Sequence, residues 1–277
     1  MHERQDNRER RHEHQAILDW LTPIDYAAQQ SNFIGRRQEG TGQWLLKSDE
    51  FQTWLKTSTQ TLFCPGIPGA GKTIITSIVV DDLFIRFRND ATVGIAYLYC
   101  NYQRQQEQKP IDLLTSLLKQ LVQEQPLVPE IVKSLYECHK SRRTRPSFDE
   151  VSKVLHSVVA GFSRAFIIID ALDECQTFDG GRTRLLSEII SLQAKTGANL
   201  FATSRFIPEI ERECEGRILE IRASDEDVRR YLDGHMSRLP KCVSRSLDLR
   251  EKIKAEIIKA TDGMYVPSYS TRLSGSG

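Results

Sequence analysis

The sequence predicts an α/β protein: a five-stranded parallel sheet flanked by helices, with a helical insertion and a small C-terminal helical appendage. Three observations carry that expectation. Short β-rich runs alternate with longer stretches of helical periodicity, as in a parallel sheet whose crossovers are helices. The β-rich runs are near-continuously apolar rather than alternating, as strands buried on both faces are. The chain has 277 residues, room for one large or two modest domains, because single cores stop growing near ~250 to 300 residues.

Five strand candidates follow in order: Gln60 to Cys64, Val93 to Tyr99, Ala165 to Ile169, Asn199 to Thr203 and Arg217 to Ile221. After the first, Thr73 to Phe87 sets Ile75, Val79, Leu83 and Phe87 on one helical face, and Ile111 to Val122 repeats apolar residues at the same period. About 65 residues separate the second and third strands, enough for three helical patterns ending with Phe148 to Val159. They should bulge over one sheet edge. Ahead of the sheet, Ala16 to Leu21 and Trp44 to Leu55 read as helices joined by the polar link SNFIGRRQEGTG. Behind it, Ser224 opens a capping box for a helix running to Met236, and Leu247 to Ala260 has helical spacing. The expected organisation is therefore a disordered charged leader (1–14), lead-in helices and linker (15–58), the sheet domain (59–222), the helical appendage (223–265) and a disordered Ser/Gly/Pro tail (266–277).

Composition excludes several function classes. Lys plus Arg number 38 against 37 Asp plus Glu, so no global field draws in nucleic acid or an anionic membrane, and neither is expected as a partner. No apolar run approaches the ~18 residues of a membrane span. Residues 1–14 lack the apolar segment of a secretory signal, which makes a cytoplasmic protein the expectation. The six cysteines, 64, 100, 138, 175, 214 and 242, are widely spaced with no C-x-x-C. They suggest neither a zinc module nor a disulfide framework, and Cys64, Cys100 and Cys175 read as buried reduced thiols. Crowding of His2, His12 and His14 in the leader is a weak metal signal.

Function must then sit in a local site, and one motif supplies it. Gly66-Ile67-Pro68-Gly69-Ala70-Gly71-Lys72-Thr73 fits G-x-x-x-x-G-K-[ST] between an apolar strand and an amphipathic helix, the context a P-loop NTPase fold requires. Gly66, Gly69, Ala70, Gly71, Lys72 and Thr73 are the candidate nucleotide-binding residues. The glycines let backbone N–H groups turn toward phosphate oxygens at a helix N-terminus. Lys72 would bridge β- and γ-phosphates, and the Thr73 hydroxyl would ligate Mg²⁺. A second, acidic partner for the metal is expected at Asp170, where the run Phe166-Ile167-Ile168-Ile169 ends in a carboxylate. Asp173 and Glu174 follow, and either could polarise an attacking water, which a metal-bound acid cannot do. Arg205, after the strand at Asn199, would reach the same sheet edge as a γ-phosphate sensor. No N-K-x-D follows the loop, which favours ATP over GTP.

The set GIPGAGKT, FIIIDALDE and LFATSR, in that order and with a long helical insertion between the first two, resembles the NACHT family of signal-transduction NTPases. The segment from Ile17 to Leu55 is similar to the lead-in of fungal NACHT proteins of the nephrocystin-like type, which often carry ankyrin or WD repeats, so the resemblance covers about residues 15 to 265. It implies an ATP- or GTP-driven, Mg²⁺-dependent switch that hydrolyses slowly and controls homo-oligomerisation, with roles in non-self recognition and programmed cell death. One departure stands out. Asp262-Gly263-Met264-Tyr265 matches the family's D-G-M-[FY] stretch, yet VPSYSTRLSGSG follows where an apolar helix is expected, suggesting a truncated chain. Two competing readings are a scaffold that binds nucleotide only for stability and a kinase acting on a small acceptor; the acidic pair at Asp173 and Glu174 suits water activation better than the latter. Lys140 to Arg145 reads as a solvated basic loop.

Overall fold

The computed structural model describes residues 2–175, 180–235 and 247–261. Five parallel strands form one sheet: β1 (Thr61–Pro65), β2 (Val93–Tyr99), β3 (Arg164–Asp170), β4 (Asn199–Ser204) and β5 (Arg217–Ile218), in the spatial order β2-β3-β4-β1-β5. Strands β1 to β4 are buried almost throughout, as their unbroken apolar character requires. Because β4 lies between β1 and β3, the segment following β4 emerges between whatever follows the other two. That ordering, which no periodicity encodes, builds the site described below.

Helix α5 (Lys72–Arg86) begins where the glycine-rich loop ends and covers β2, β3 and β4 with Ile75, Ile78, Val79 and Leu83. The insertion after β2 forms α6 (Pro110–Gln123), α7 (Glu130–Arg142) and α8 (Phe148–Ala160). Of these, α6 lies on the edge strand β2, covering an edge that would otherwise expose a ladder of unpaired backbone groups. Helix α8 starts at a capping box in which the Ser147 hydroxyl accepts from Glu150 N and Glu150 Oε2 accepts from Ser147 N at 2.8 Å. Two helices not singled out from the sequence complete the crossovers, α9 (Gly181–Thr196) and α10 (Pro208–Glu213).

The lead-in differs from expectation in three ways. The N-terminal residues expected to be disordered continue the helix, so that α1 spans His2–Leu21. Its Arg, Glu and Gln residues are good helix formers, and Ile17, Leu18 and Leu21 anchor its last turns in the core. The polar link is partly helical, in α2 (Ala27–Gly35). The helix expected over Trp44 to Leu55 is broken into α3 (Gln43–Lys47) and α4 (Asp49–Lys56). Ser48 makes the break: its backbone is extended, and its hydroxyl accepts from Phe51 N at 3.2 Å as the N-cap of α4. From α4, Trp54 is fully buried against Phe166 and Phe201 and donates its indole N–H to Leu200 O at 2.9 Å.

Strand β5 is shorter than expected and both its residues are exposed. It is an edge strand with a solvent side, although Leu219 N and Ile221 N still donate to Phe63 O and Pro65 O, at 3.0 and 2.7 Å. In the appendage, α11 (Asp225–His235) starts after Ser224, whose hydroxyl accepts from Asp227 N at 3.1 Å, and α12 (Leu247–Thr261) packs on it. Met236, the D-G-M-Y stretch and the 266–277 tail lie outside the described residues. The basic run is exposed as expected, but only its second half is loop. Lys140 to Arg142 close α7, and the Arg145 guanidinium donates to Trp20 O and lies 5.8 Å from the Trp20 ring.

The cysteine expectation also needs correcting. Cys64 is a buried free thiol, pushed well above its usual pKa chiefly by burial. Cys100 and Cys175, however, form a disulfide with Cα atoms 5.3 Å apart, inside the usual range. Seventy-five residues separate them. They meet because β2 and β3 are neighbours, with Tyr99 in register with Asp170, and strand order is not readable from cysteine spacing. Cys242 lies outside the described residues.

Candidate functional site: a phosphate-loop cleft at the carboxyl edge of the sheet

Gly69 and Gly71 adopt φ of 79° and 90°, a left-handed conformation that glycine takes without a Cβ clash, and Gly71 is the N-cap of α5. Gly66 is required for another reason. A Cβ there would stand 2.6 Å from Ile221 O, and Gly66 N donates to Ser204 O at 3.0 Å. The loop is thus wedged between the carboxyl ends of β1, β4 and β5.

Above it opens a cleft of 1050 Å³ whose walls include Gly69, Gly71, Lys72, Thr73, Asp170, Asp173, Glu174 and Arg205. Eight residues chosen from the sequence are therefore brought to one cavity. Gly66 and Ala70 are not on its wall; both are buried beneath the loop.

Asp170 sits at the floor, 2% exposed, ringed by hydroxyls. Thr73 Oγ1 donates to its Oδ2 at 2.7 Å, while Thr203 Oγ1 and Thr76 Oγ1 reach Oδ1 at 2.7 and 2.9 Å. Thr203 also accepts from Ala171 N at 2.9 Å. Burial raises the Asp170 pKa, and the three hydroxyls and Lys72 oppose that rise. Thr76 and Thr203 were not singled out from the sequence. A hydroxyl three residues beyond Thr73, one helical turn along α5, was the available signal for the first.

Lys72 Nζ donates to Gly66 O and Ile67 O, at 2.8 and 3.0 Å, so the ammonium is held over the loop. Partial burial lowers its pKa, with Asp173 and Asp170 pulling the other way. Asp173 and Arg205 form a pair: Arg205 N donates to Asp173 Oδ1 at 3.0 Å and its Nε to Oδ2 at 2.5 Å. The Asp173 side chain is 2% exposed and the Arg205 side chain 54%. One carboxylate of the acidic pair is thereby occupied by the guanidinium. Glu174 is differently placed. Its Oε2 accepts from Tyr102 N at 3.3 Å, and its pKa is raised, first by burial and then by Asp173 and Asp170, against the Tyr102 hydrogen bond and Arg205.

The rest of the lining comes mostly from segments that sequence reading treated as linker or appendage. Arg36, Arg37 and Gln38 of the lead-in, Tyr102 after β2, and Tyr231 and His235 of α11 all line the cleft. Tyr231 and His235 are stacked with ring centroids 4.1 Å apart. Helix α11 is fastened to the lead-in where Gly42 N donates to Asp227 Oδ2 at 3.0 Å and Arg230 donates to Gly40 O at 2.7 Å. The i, i+4 spacing of Tyr231 and His235 marks one helical face, but nothing local says that the face meets a cleft.

The donor set fits Mg²⁺. No cluster of three or more His, Cys, Asp or Glu is present among the described residues, and none is needed. Mg²⁺ keeps several waters and takes one or two protein oxygens beside substrate phosphates, and the adjoining Thr73 hydroxyl and Asp170 carboxylate are of that kind.

A parallel sheet with this loop, this acid and this cleft defines a P-loop nucleotide-binding protein. The chain belongs to the family described as Nephrocystin 3, N-terminal, whose model matches residues 40–205. That match agrees with the nephrocystin-like NACHT resemblance of the motifs. Vegetative incompatibility protein HET-E-1 of Podospora anserina is 27% identical over 191 residues, covering 66% of this chain and 14% of that protein. The chain thus spans about one seventh of that relative's length. Among solved structures, replication initiator DnaA bound to AMPPCP and single-stranded DNA has a TM-score of 0.41 at 14% identity, over 84% of this chain and 65% of that one. Cdc6p from Pyrobaculum aerophilum has a TM-score of 0.46 at 13% identity, over 78% and 53%. No helix among the described residues is long and apolar enough to cross a membrane.

Proposed function

We propose that this chain is a nucleoside triphosphate switch that binds ATP in preference to GTP, together with Mg²⁺, and hydrolyses it slowly. One observation carries the reading: Lys72, Thr73 and Asp170 meet at the floor of a single cleft, with Thr73 Oγ1 2.7 Å from Asp170 Oδ2. Lys72 would leave Gly66 O and Ile67 O for the β- and γ-phosphates, a small movement of a flexible chain. Mg²⁺, when bound, neutralises charge developing on the phosphate oxygens. Thr73 and Asp170 would hold it.

Glu174 is our candidate for orienting and deprotonating the attacking water, because Asp173 is engaged by Arg205. Arg205 would answer the γ-phosphate by exchanging one anionic partner for another. The cleft's far wall supports a switch. A ligand filling it would touch both the lead-in and α11, so its presence would bias how the appendage sits on the sheet domain. Control of homo-oligomerisation through that appendage is part of the proposal. A binding-only scaffold is favoured by one fact, the occupation of Asp173 by Arg205.

Calorimetry with ATP and GTP in Mg²⁺ tests the first step. Lys72→Ala should lose two charge-assisted contacts of about 1.5 to 3 kcal/mol each, at least about 100-fold in affinity. Undiminished affinity in that variant would refute the assignment. Phosphate release at a rate no greater than that of the nucleotide alone, with binding intact, would favour the scaffold.

A further inference from the structure

The disulfide Cys100–Cys175 stands where the chemistry of the cleft is arranged. Cys100 directly follows β2 and lies on the cleft wall. Cys175 directly follows the 3-10 turn Leu172–Glu174, which carries both Asp173 and Glu174. Three further links join the same two segments: Cys100 N donates to Asp170 O at 3.2 Å, Tyr102 N to Glu174 Oε2 at 3.3 Å, and Gln105 Nε2 to Glu174 O at 3.1 Å. All three are hydrogen bonds at the long side of the usual range. The covalent bond is the strongest tie between the turn and the segment after β2. The free cysteines among the described residues lie elsewhere: Cys64 and Cys214 are buried, with thiol pKa values pushed up, and Cys138 is exposed on α7.

We propose that Cys100–Cys175 is a thiol–disulfide exchange site for low-molecular-weight thiols and disulfides, and that its redox state sets the position of Glu174 and hence the hydrolysis rate. The part concerning hydrolysis rests on the reading of Glu174 given above. In the reductive direction an external thiolate attacks Cys100 Sγ from the cleft, the protein S–S bond breaks, and Cys175 leaves as a thiolate that takes up a proton. A second thiol then attacks the external sulfur of the mixed disulfide and frees the Cys100 thiol. Two external thiols have become one disulfide and the protein pair has gained two electrons and two protons; oxidation is the reverse. Both cysteines are buried, Cys100 at 6% and Cys175 at 1% exposure, and Cys100 is the entry point because it alone of the two lines the cleft. Nucleotide in the cleft should therefore shield the bond.

The test uses the full chain, equilibrated with glutathione disulfide or with dithiothreitol. After denaturation and alkylation, peptide mass spectrometry should find Cys100 and Cys175 linked to each other in the first sample and alkylated in the second, with Cys64 and Cys214 alkylated in both and exposed Cys138 carrying at most glutathione. ATP should slow the reduction. Hydrolysis should differ by about tenfold or more between the two states, since displacing a catalytic group by an ångström can cost ~100-fold, while nucleotide affinity stays within one order of magnitude. Cys100→Ser, which leaves only the buried Cys175, should give the dithiothreitol rate under both conditions. Hydrogen exchange over residues 172–175 supplies a readout that needs no nucleotide, and it should be faster in the reduced protein. Full alkylation of both cysteines after glutathione disulfide, or equal exchange in the two states, would overturn the proposal even if ATP binds. Equal hydrolysis rates with bond formation intact would overturn its control of hydrolysis. Failure of both states to bind ATP would instead count against the nucleotide reading, leaving bond mapping and exchange to judge the redox site.

Discussion

The two walls of the cleft are built in opposite ways. The phosphate-loop wall comes from one short stretch, Pro68 to Thr73, whose shape follows from two left-handed glycines and a helix start. The facing wall gathers Arg36 to Gln38, Tyr102, the Asp173–Glu174 turn, Arg205 and α11 from five separate places in the chain. The first wall can hold phosphate wherever a strand and helix present it. In the proposed function the second would decide what happens to the phosphate, and its form depends on strand order and on the docking of the lead-in and appendage.

The largest effect expected from breaking this contrast is on the assembled wall. Glu174→Gln should lower hydrolysis by ~10² to 10⁴, the range of general-base catalysis, with binding nearly unchanged. The pKa of Glu174 is raised, so the wild-type rate should climb with pH through a limb lying above that of an ordinary carboxylate, and this limb should vanish in the variant. A variant that keeps the limb would place the base elsewhere. Arg205→Ala comes next. Losing one charge-assisted contact of about 1.5 to 3 kcal/mol should reduce the preference for triphosphate over diphosphate by roughly 10- to 150-fold, read by competition binding. It also leaves the buried Asp173 carboxylate without its guanidinium.

Two glycine substitutions separate the walls by stability. At Gly66 a Cβ would press on backbone, Ile221 O. Gly66→Ala should therefore cost about 1 to 3 kcal/mol, a melting temperature lower by roughly 2 to 4 °C for each kcal/mol. At Gly234 of α11 the nearest atoms belong to the end of the Gln38 side chain, which can swing away. Gly234→Ala should leave the melting temperature almost unchanged, since helix propensity gains about 0.5 to 1 kcal/mol against that displacement. Equal losses at the two positions would contradict the contrast.

A shift of opposite sign concerns Asp170. Burial raises its pKa, so the folded, nucleotide-free protein holds this proton more tightly than the unfolded chain. The resulting stability is present below the unfolded pKa and lost as pH rises through the folded one. Asp170→Asn should flatten that decline and raise the melting temperature at neutral pH by roughly 2 to 4 °C if about 1 kcal/mol is relieved. It should also abolish stabilisation by ATP and Mg²⁺. Thermal melts across pH with and without ligand check both signs.

How much of this was legible beforehand follows the same division. Gly66 to Thr73, the apolar run ending at Asp170, and the strands from β1 to β4 could be read from the chain, because each rests on period, turn chemistry or contacts within a few residues. Arg205 could be placed at the right edge of the sheet but not beside Asp173. Their pairing needs β4 to lie next to β3, and strand order is settled by packing helices on both faces rather than by any local pattern. The same adjacency of β2 and β3 brings Cys100 to Cys175, where spacing alone suggested two unrelated thiols. Ser48 broke a helix that periodicity had joined, since a cap acts through one hydroxyl that apolar spacing does not register. The composition, the loop and the acid that ends the third strand, Asp170, are properties of the sequence by itself. Which carboxylate pairs with the arginine, which accepts from Tyr102 N, and which remote segments line the cleft were decided only by tertiary structure, because those outcomes depend on distances between residues that are far apart along the chain.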